Sequence, residues 1–257
     1  MSGIHTVGGI LFYVGKTLQL KYPKIILIKM ESSILGQPIC TYTWRSRSVY
    51  FGNKKWSRGV TKVIKRIFAP DFKYTKLKRG HCAVGLPKKR AQRRGHSIDR
   101  VIYQWTCGLS IKRSRVKEPI ALINTFVSHG WTPVCSQLVV AWPEARLATK
   151  IDLVLHDILR NKIIVVEIKS GCGYRRKNHG MLRHISPRVS NAPIHQHQLQ
   201  VLLGRELFAR TYTKWSRDDI ECVLVYVSPE CEVELLQEHM FDVKYNSSID
   251  TILLNTS

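Results

Sequence analysis

The chain has 257 residues, 44% of them hydrophobic, enough for a real core in one elaborated domain or in one domain with an extension. Its 41 lysines and arginines against 18 acids give a formal net charge of +23; such self-repulsion makes sense beside a polyanion, so nucleic acid, DNA before RNA, is the expected partner. The seven cysteines are odd in number and nowhere spaced C-x-x-C, which speaks against a secreted disulfide framework or a zinc ribbon, and no run approaches the roughly 18 apolar residues of a spanning helix, so no membrane partner is expected.

In chain order, two short apolar pieces, 8–14 and 25–28, are broken by Lys16, Lys21 and Lys24 and make a poor signal peptide. Met30 offers an alternative start. From about 40 to 118 the chain is strongly basic, with Trp44, Tyr50, Phe51, Trp56, Phe68, Phe72 and Tyr74 interleaved. These aromatics are expected to pack a small accessory core; stacking on exposed bases is the other reading. Within this region Val60, Val63, Ile64 and Ile67 recur at helical spacing, predicting a helix over 58–68. The Gly-, Lys- and Arg-rich stretch 73–94 reads as loop. A second helix is predicted from Ser97, as N-cap, with Asp99 in its first turn and Ile98, Val101, Ile102 and Trp105 inward. The domain division that follows is a basic N-terminal extension, 1–94, before a core of 95–257.

The second part is more apolar and holds most of the acids. Pro119 and Gly130 bracket a predicted helix over 119–129. Strands are predicted at 134–142, 147–156 and 162–169, followed by a polar loop over 170–191. A helix from Pro193 to about Arg210 and a strand over 222–227 complete the pattern. Hairpin-paired strands, then a helix and a further strand, imply an α/β fold, a mixed sheet flanked by helices.

The chemistry is concentrated in 150–170, KIDLVLHDILRNKIIVVEIKS. As a hairpin turning over 157–161, this segment sets Asp152 opposite Glu167. Two carboxylates facing across a ladder repel, unless a divalent cation lies between them. Mg²⁺, or Mn²⁺ in its place, suits few carboxylates with waters and substrate phosphate. The period of two puts Glu167 and Lys169 on one strand face, with Ile164, Val166 and Ile168 on the other as core. The competing reading is a salt-bridged surface hairpin. It leaves unexplained why Asp152 interrupts an apolar run.

Asp152, fourteen residues, then Glu167-Ile168-Lys169 resembles the D…(D/E)-X-K signature of the PD-(D/E)XK nuclease superfamily, with Ile151 where that signature has Pro. The text ATKIDLVL is similar to a segment of the phage lambda exonuclease and RecB-like branch, which also carries Gln on the helix after the Lys strand. In HQHQLQVLL, Gln198 matches that Gln best and Gln196 next. An acid on an early helix usually completes the pattern; Asp99 is the candidate, with Gln137 and Glu144 as weaker options. The resemblance spans roughly 95–226. It implies a restriction-endonuclease-like core and a metal-dependent nuclease of replication, recombination or repair, exonuclease-like in acting at DNA ends. It also implies that Asp152, Glu167 and the backbone carbonyl of Ile168 hold one or two Mg²⁺ or Mn²⁺ ions, that Lys169 orients or deprotonates the attacking water, and that Gln198 bonds the water network or a phosphate oxygen. A structure-selective endonuclease such as a junction resolvase, or a non-catalytic DNA-binding protein on a degenerate nuclease fold, are the alternatives.

Two basic clusters remain. PKKRAQRR, 87–94, reads equally as a nuclear import signal and as a DNA-contact loop through Lys88, Lys89, Arg90, Arg93 and Arg94. It makes the nucleus the expected location, ahead of mitochondrion or cytoplasm. Arg175, Arg176 and Lys177, just past the Lys169 strand, are read as a phosphate clamp before a solvated charge run. His195 and His197 are two apart and share no helical face, so no zinc site is read there.

Overall fold

The computed structural model describes residues 34–35, 59–70, 92–111, 117–170 and 180–255, and the backbone alone of 6–7, 10–11, 42–45, 48–51, 54–56, 58 and 88–91. Two short sheets come first: β1 (Thr6–Val7) pairs β2 (Ile10–Leu11), and β3 (Tyr42–Arg45), β4 (Ser48–Phe51) and β5 (Lys54–Trp56) form an antiparallel three-stranded meander. The predicted helix over 58–68 divides into three. Arg58–Gly59 is a strand, β6; Val60–Val63 is a helical turn, α1; and Ile64–Phe68 widens into a π-helical turn.

α2 (Lys88–Thr106) begins nine residues before Ser97, so the loop assigned to 73–94 is corrected over its last seven residues. The physical reason is composition. Lys, Arg, Ala and Gln are all strong helix formers, and nothing in 88–94 breaks a helix. Asp99 therefore sits in mid-helix. α3 (Lys117–Ser128) follows, and then β7 (Trp131–Trp142), β8 (Leu147–Asp157) and β9 (Lys162–Ser170), each close to its predicted bounds. α4 (Pro193–Thr211), β10 (Ile220–Val227), β11 (Val233–Gln237) and α5 (Ser247–Asn255) complete the chain. The last strand and last helix were not anticipated. Val233–Gln237 carries charge at Glu234 and is a short edge strand, which weakens its alternation.

The main sheet runs β11-β10-β9-β8, with β7 on the other edge of β8. β7, β8 and β9 are antiparallel neighbours, β9 and β10 are parallel, and β10 and β11 are antiparallel. This is the expected α/β architecture, a mixed sheet flanked by helices. Each face carries its own core. One joins α4, α1 and the π turn to Ile163, Val165, Cys222 and Leu224. The other joins α2 and α3 to Ile164, Val166, Val223 and Val225. β9 and β10 thus alternate strictly between the two faces, as strands covered on both sides must.

Residues 58–69 belong to this body rather than to a separate extension. Arg58 and Gly59 pair in parallel with Leu147 and Ala148 of β8, and Val60, Val63, Ile64 and Phe68 are buried in the α4-side core. A boundary at 94 therefore cuts through one packed unit. The pairing of β6 also shapes the site. β9 leaves β8 after the pair Leu153–Val166, and β6 joins β8 only at Leu147–Ala148. Between them one edge of β8 is open, and Asp152 stands at that opening.

Candidate active site

Leu153 and Val166 form the last pair of the β8–β9 ladder, and one residue further along each strand stand Asp152 and Glu167. Where the strands part, the carboxylate of Asp152 takes a main-chain donor that the ladder leaves free: Ile168 N–H donates to Asp152 Oδ2 at 3.0 Å. Ile168 packs its side chain on the α2/α3-side core with Ile164 and Val166. Glu167 and Lys169 therefore turn toward α4, as the alternation predicted.

There Lys169 Nζ donates to Glu167 Oε1 and to Gln200 Oε1 at 3.3 Å, while Gln200 Nε2 donates to the same Glu167 oxygen at 2.6 Å. Gln200, not Gln198, is thus the glutamine that reaches the cluster. Gln198 is buried away from it, its Oε1 accepting from Val243 N–H at 3.2 Å. Gln196 donates to Asn191. The helical period separates these roles: 198 and 200 are about 200° apart around α4. His197, one turn before Gln200, is bonded to the Tyr226 hydroxyl at 2.8 Å, and burial followed by the charge of Lys169 pushes it down to about 3. It is therefore a neutral wall of the site. His195 turns elsewhere, to Ser190 and Asp242, so the two histidines share no face, as read from their spacing.

Three carboxylates feel one another. Asp99 is exposed as a residue, but partial desolvation of its carboxyl, then the charge of Asp152, holds it above the usual range against His96, Lys150 and Lys169. Burial also raises Asp152, opposed by Lys169, the Ile168 N–H, Lys150 and a hydrogen bond from Gln137. Glu167 is pushed up to about 7 by burial, then by Asp152, with Asp99 adding to the effect and Lys169 opposing it. Asp99 thus joins the site from α2 although it enters from mid-helix. Glu144, on the turn between β7 and β8, is exposed and makes no hydrogen bond to these groups among the described residues.

A divalent cation fits this donor set in one form only. Among the described residues no three His, Cys, Asp or Glu side chains are gathered closely enough to form a metal cage. A buried Glu167, raised by the charge of the half-buried Asp152 and set beside a main-chain carbonyl at Ile168, suits a hard ion that keeps most of its waters, as Mg²⁺ does, and would not suit zinc.

The expected nucleic-acid residues divide. Arg94 is engaged inside the fold: its Nε donates to Glu118 at 2.8 Å and its NH2 to the Val227 carbonyl at 2.7 Å, leaving its side chain 10% exposed. It is a structural tie between α2, α3 and β10, and so is corrected as a DNA contact. Arg93 is exposed, with His96, Arg100 and Tyr103 at helical spacing beyond it. Lys88, Lys89 and Arg90 lie on the first turn of α2, and their side chains, like the whole of Arg175, Arg176 and Lys177, lie outside the described residues.

No protein-family model, curated protein or solved structure matches the chain.

Proposed function

We propose that the chain is a metal-dependent nuclease with a PD-(D/E)XK-type core, hydrolysing phosphodiester bonds of DNA in replication, recombination or repair. The observation that carries this reading is the junction of Asp152, Glu167 and Lys169 at the opening between β8 and β9, with Asp99 arriving from α2 and Gln200 from α4. A salt-bridged surface hairpin does not account for it. Glu167 is only 6% exposed, and burying like charges together is unfavourable without a use for them.

Asp152, Glu167 and the Ile168 carbonyl would hold Mg²⁺ or Mn²⁺, which when bound supplies charge neutralisation at the scissile phosphate and acidifies water. Lys169, fixed by Glu167 and Gln200, orients the water whose oxygen attacks phosphorus. The bond from phosphorus to the leaving nucleotide oxygen breaks, and that oxygen takes up a proton. Arg93, His96, Arg100 and Tyr103 form the exposed face of α2 that borders Asp99, and this face offers phosphate contacts and a ring for a base to stack on.

The test is incubation of the full chain with end-labelled linear, circular and branched DNA, in Mg²⁺, Mn²⁺ or EDTA. Cleavage of linear DNA from its ends, abolished by EDTA, is the expected result. Cleavage of circles or of branches alone moves the reading to an endonuclease on the same core. Tight binding with no cleavage in either metal overturns it in favour of a DNA-binding protein.

A further inference from the structure

Gln137 is the one residue inside a long strand of the main sheet, among those described, that takes a left-handed backbone conformation, with φ 56°. Residues with a side chain avoid this region, and in mid-strand it has to be enforced by the surroundings. Its neighbours show what it does. Ser136 pairs with Leu153, and Leu138 pairs with Ile151, so the register is the same on both sides of Gln137, and the residue facing it across the ladder is Asp152.

What changes at this level is the face. On β8, Ile151 and Val154 both pack in the α4-side core, whereas Leu153 and Leu155 pack in the α2/α3-side core. Ile151 and Val154 are three apart, and a period of two cannot give both to one side. The phase therefore slips at Asp152. On β7, Leu138, Val140 and Trp142 join the α4-side core, while the Ser136 hydroxyl is bonded to Thr106 of α2 at 3.2 Å. That strand slips at Gln137. The two slips coincide, one on each strand of a pair, and the register survives because both strands switch face together. Asp152 is thereby taken out of the regular alternation at the point where β9 departs, with the Gln137 side-chain amide near enough to its carboxylate to favour the ionised form.

We propose that Gln137 is a positioning residue of the candidate site: its left-handed backbone turns the β7–β8 pair from one sheet face to the other at Asp152, and its side-chain amide fixes the Asp152 carboxylate between the Ile168 N–H and the neighbouring acids. The proposal rests on the nuclease reading for its effect on chemistry, but the coupling of the two residues does not. Glycine at 137 keeps the backbone conformation without penalty and loses the amide; alanine loses the amide and keeps the penalty.

The experiment takes the full chain as Gln137→Gly, Gln137→Ala, Asp152→Ala and the double variant Gln137→Ala/Asp152→Ala. Thermal midpoints in EDTA, Mn²⁺ affinity, and kcat and KM on linear DNA are read for each. Gln137→Gly is expected to melt about 2–4 °C above Gln137→Ala, since both lose the amide and only alanine keeps the strain. The glycine variant is expected to lose about 10–100-fold in Mn²⁺ affinity or kcat, with KM unchanged, as loss of a residue orienting a ligand does. Gln137→Ala should lower the midpoint in the parent by more than it does in Asp152→Ala. Additive midpoints in that cycle, or a Gln137→Gly protein with parental kcat and Mn²⁺ affinity, overturn the proposal. A parent that neither binds Mn²⁺ nor cleaves refutes the nuclease reading, and the midpoint cycle still decides whether Gln137 holds Asp152.

Discussion

The side-chain amide of Gln200 donates to Glu167 at 2.6 Å while its oxygen accepts from Lys169 at 3.3 Å. One residue of α4 thereby fixes both charged members of the β9 motif, and it lies two positions beyond the glutamine that the family resemblance selects. Gln200→Ala is expected to lower the cleavage rate about 10–100-fold, the usual effect of losing a group that orients a ligand. Gln198→Ala is expected to lower the thermal midpoint, because it leaves the buried Val243 N–H without its acceptor, and to leave the rate per folded molecule near parental. Lys169→Arg should rescue poorly, since a guanidinium keeps the charge but changes the fork and gives up no proton. Steady-state rates and melting curves on the same preparations separate these outcomes.

The reason sequence alone selects Gln198 rather than the glutamine that reaches Glu167 is physical. α4 is buried nearly all round, from Ile194 through Gln196, Gln198 and Leu199 to Phe208 and Thr211, so it has no polar stripe to set its phase. The β9 motif had such a phase, because a strand covered on two faces alternates with a fixed period, and Glu167, Lys169 and the apolar set opposite were legible from it. The slip at Gln137 and Asp152 was not legible, because no residue type there announces a left-handed backbone. The start of α2 is not legible because a run of lysine and arginine looks like a loop in composition yet has good helix propensity. Sequence does not separate Arg94 from its basic neighbours, because only packing shows that it ties α2 to Glu118 and Val227.

Glu167 gives a pH-dependent prediction. Its folded carboxyl is pushed up to about 7 from its ordinary 4.5. A raised folded value means that its contribution to stability is fully present below the unfolded value and is lost as pH rises through the folded one. In EDTA, stability from this group should therefore fall between about pH 4.5 and 7. A divalent cation relieves the ionised form, so Mg²⁺ should raise the thermal midpoint more at pH 8 than at pH 5.5. At a hundredfold excess over its Kd the gain is roughly 5–10 °C. In Glu167→Gln the difference between the two pH values should largely vanish; an equal Mg²⁺ effect at both pH values in the parent would argue against a cation at this carboxylate.

The exposed face of α2 makes a separate prediction about substrate. Arg93 and Arg100 are two turns apart, on the side that borders Asp99, and neither makes an ion pair among the described residues. Arg93→Ser/Arg100→Ser should weaken DNA binding in EDTA and reduce the slope of log affinity against log salt by about 1.4–1.8, the share of two phosphates. The charge-matched variant Lys214→Ser/Lys244→Ser provides the comparison. Lys214 lies over Trp215, which packs on His156, and Lys244 lines a cavity with Arg160, both beyond the C-terminal end of β8 and away from Asp152 at its middle. Equal losses in the two variants would reduce the α2 face to a general effect of net charge.

The most direct test of the central claim is the initial rate of Mg²⁺-dependent cleavage of end-labelled DNA by Asp152→Ala beside the parent, with the thermal midpoint of each recorded in EDTA. Asp152 is where β8 and β9 part, where Ile168 N–H is taken up, and whose charge raises both Asp99 and Glu167. The parent is expected to cleave and to stop in EDTA, and Asp152→Ala to fold but cleave at least on the order of 10²-fold more slowly. A folded Asp152→Ala protein that cleaves at the parental rate in Mg²⁺ would contradict the assignment of this site.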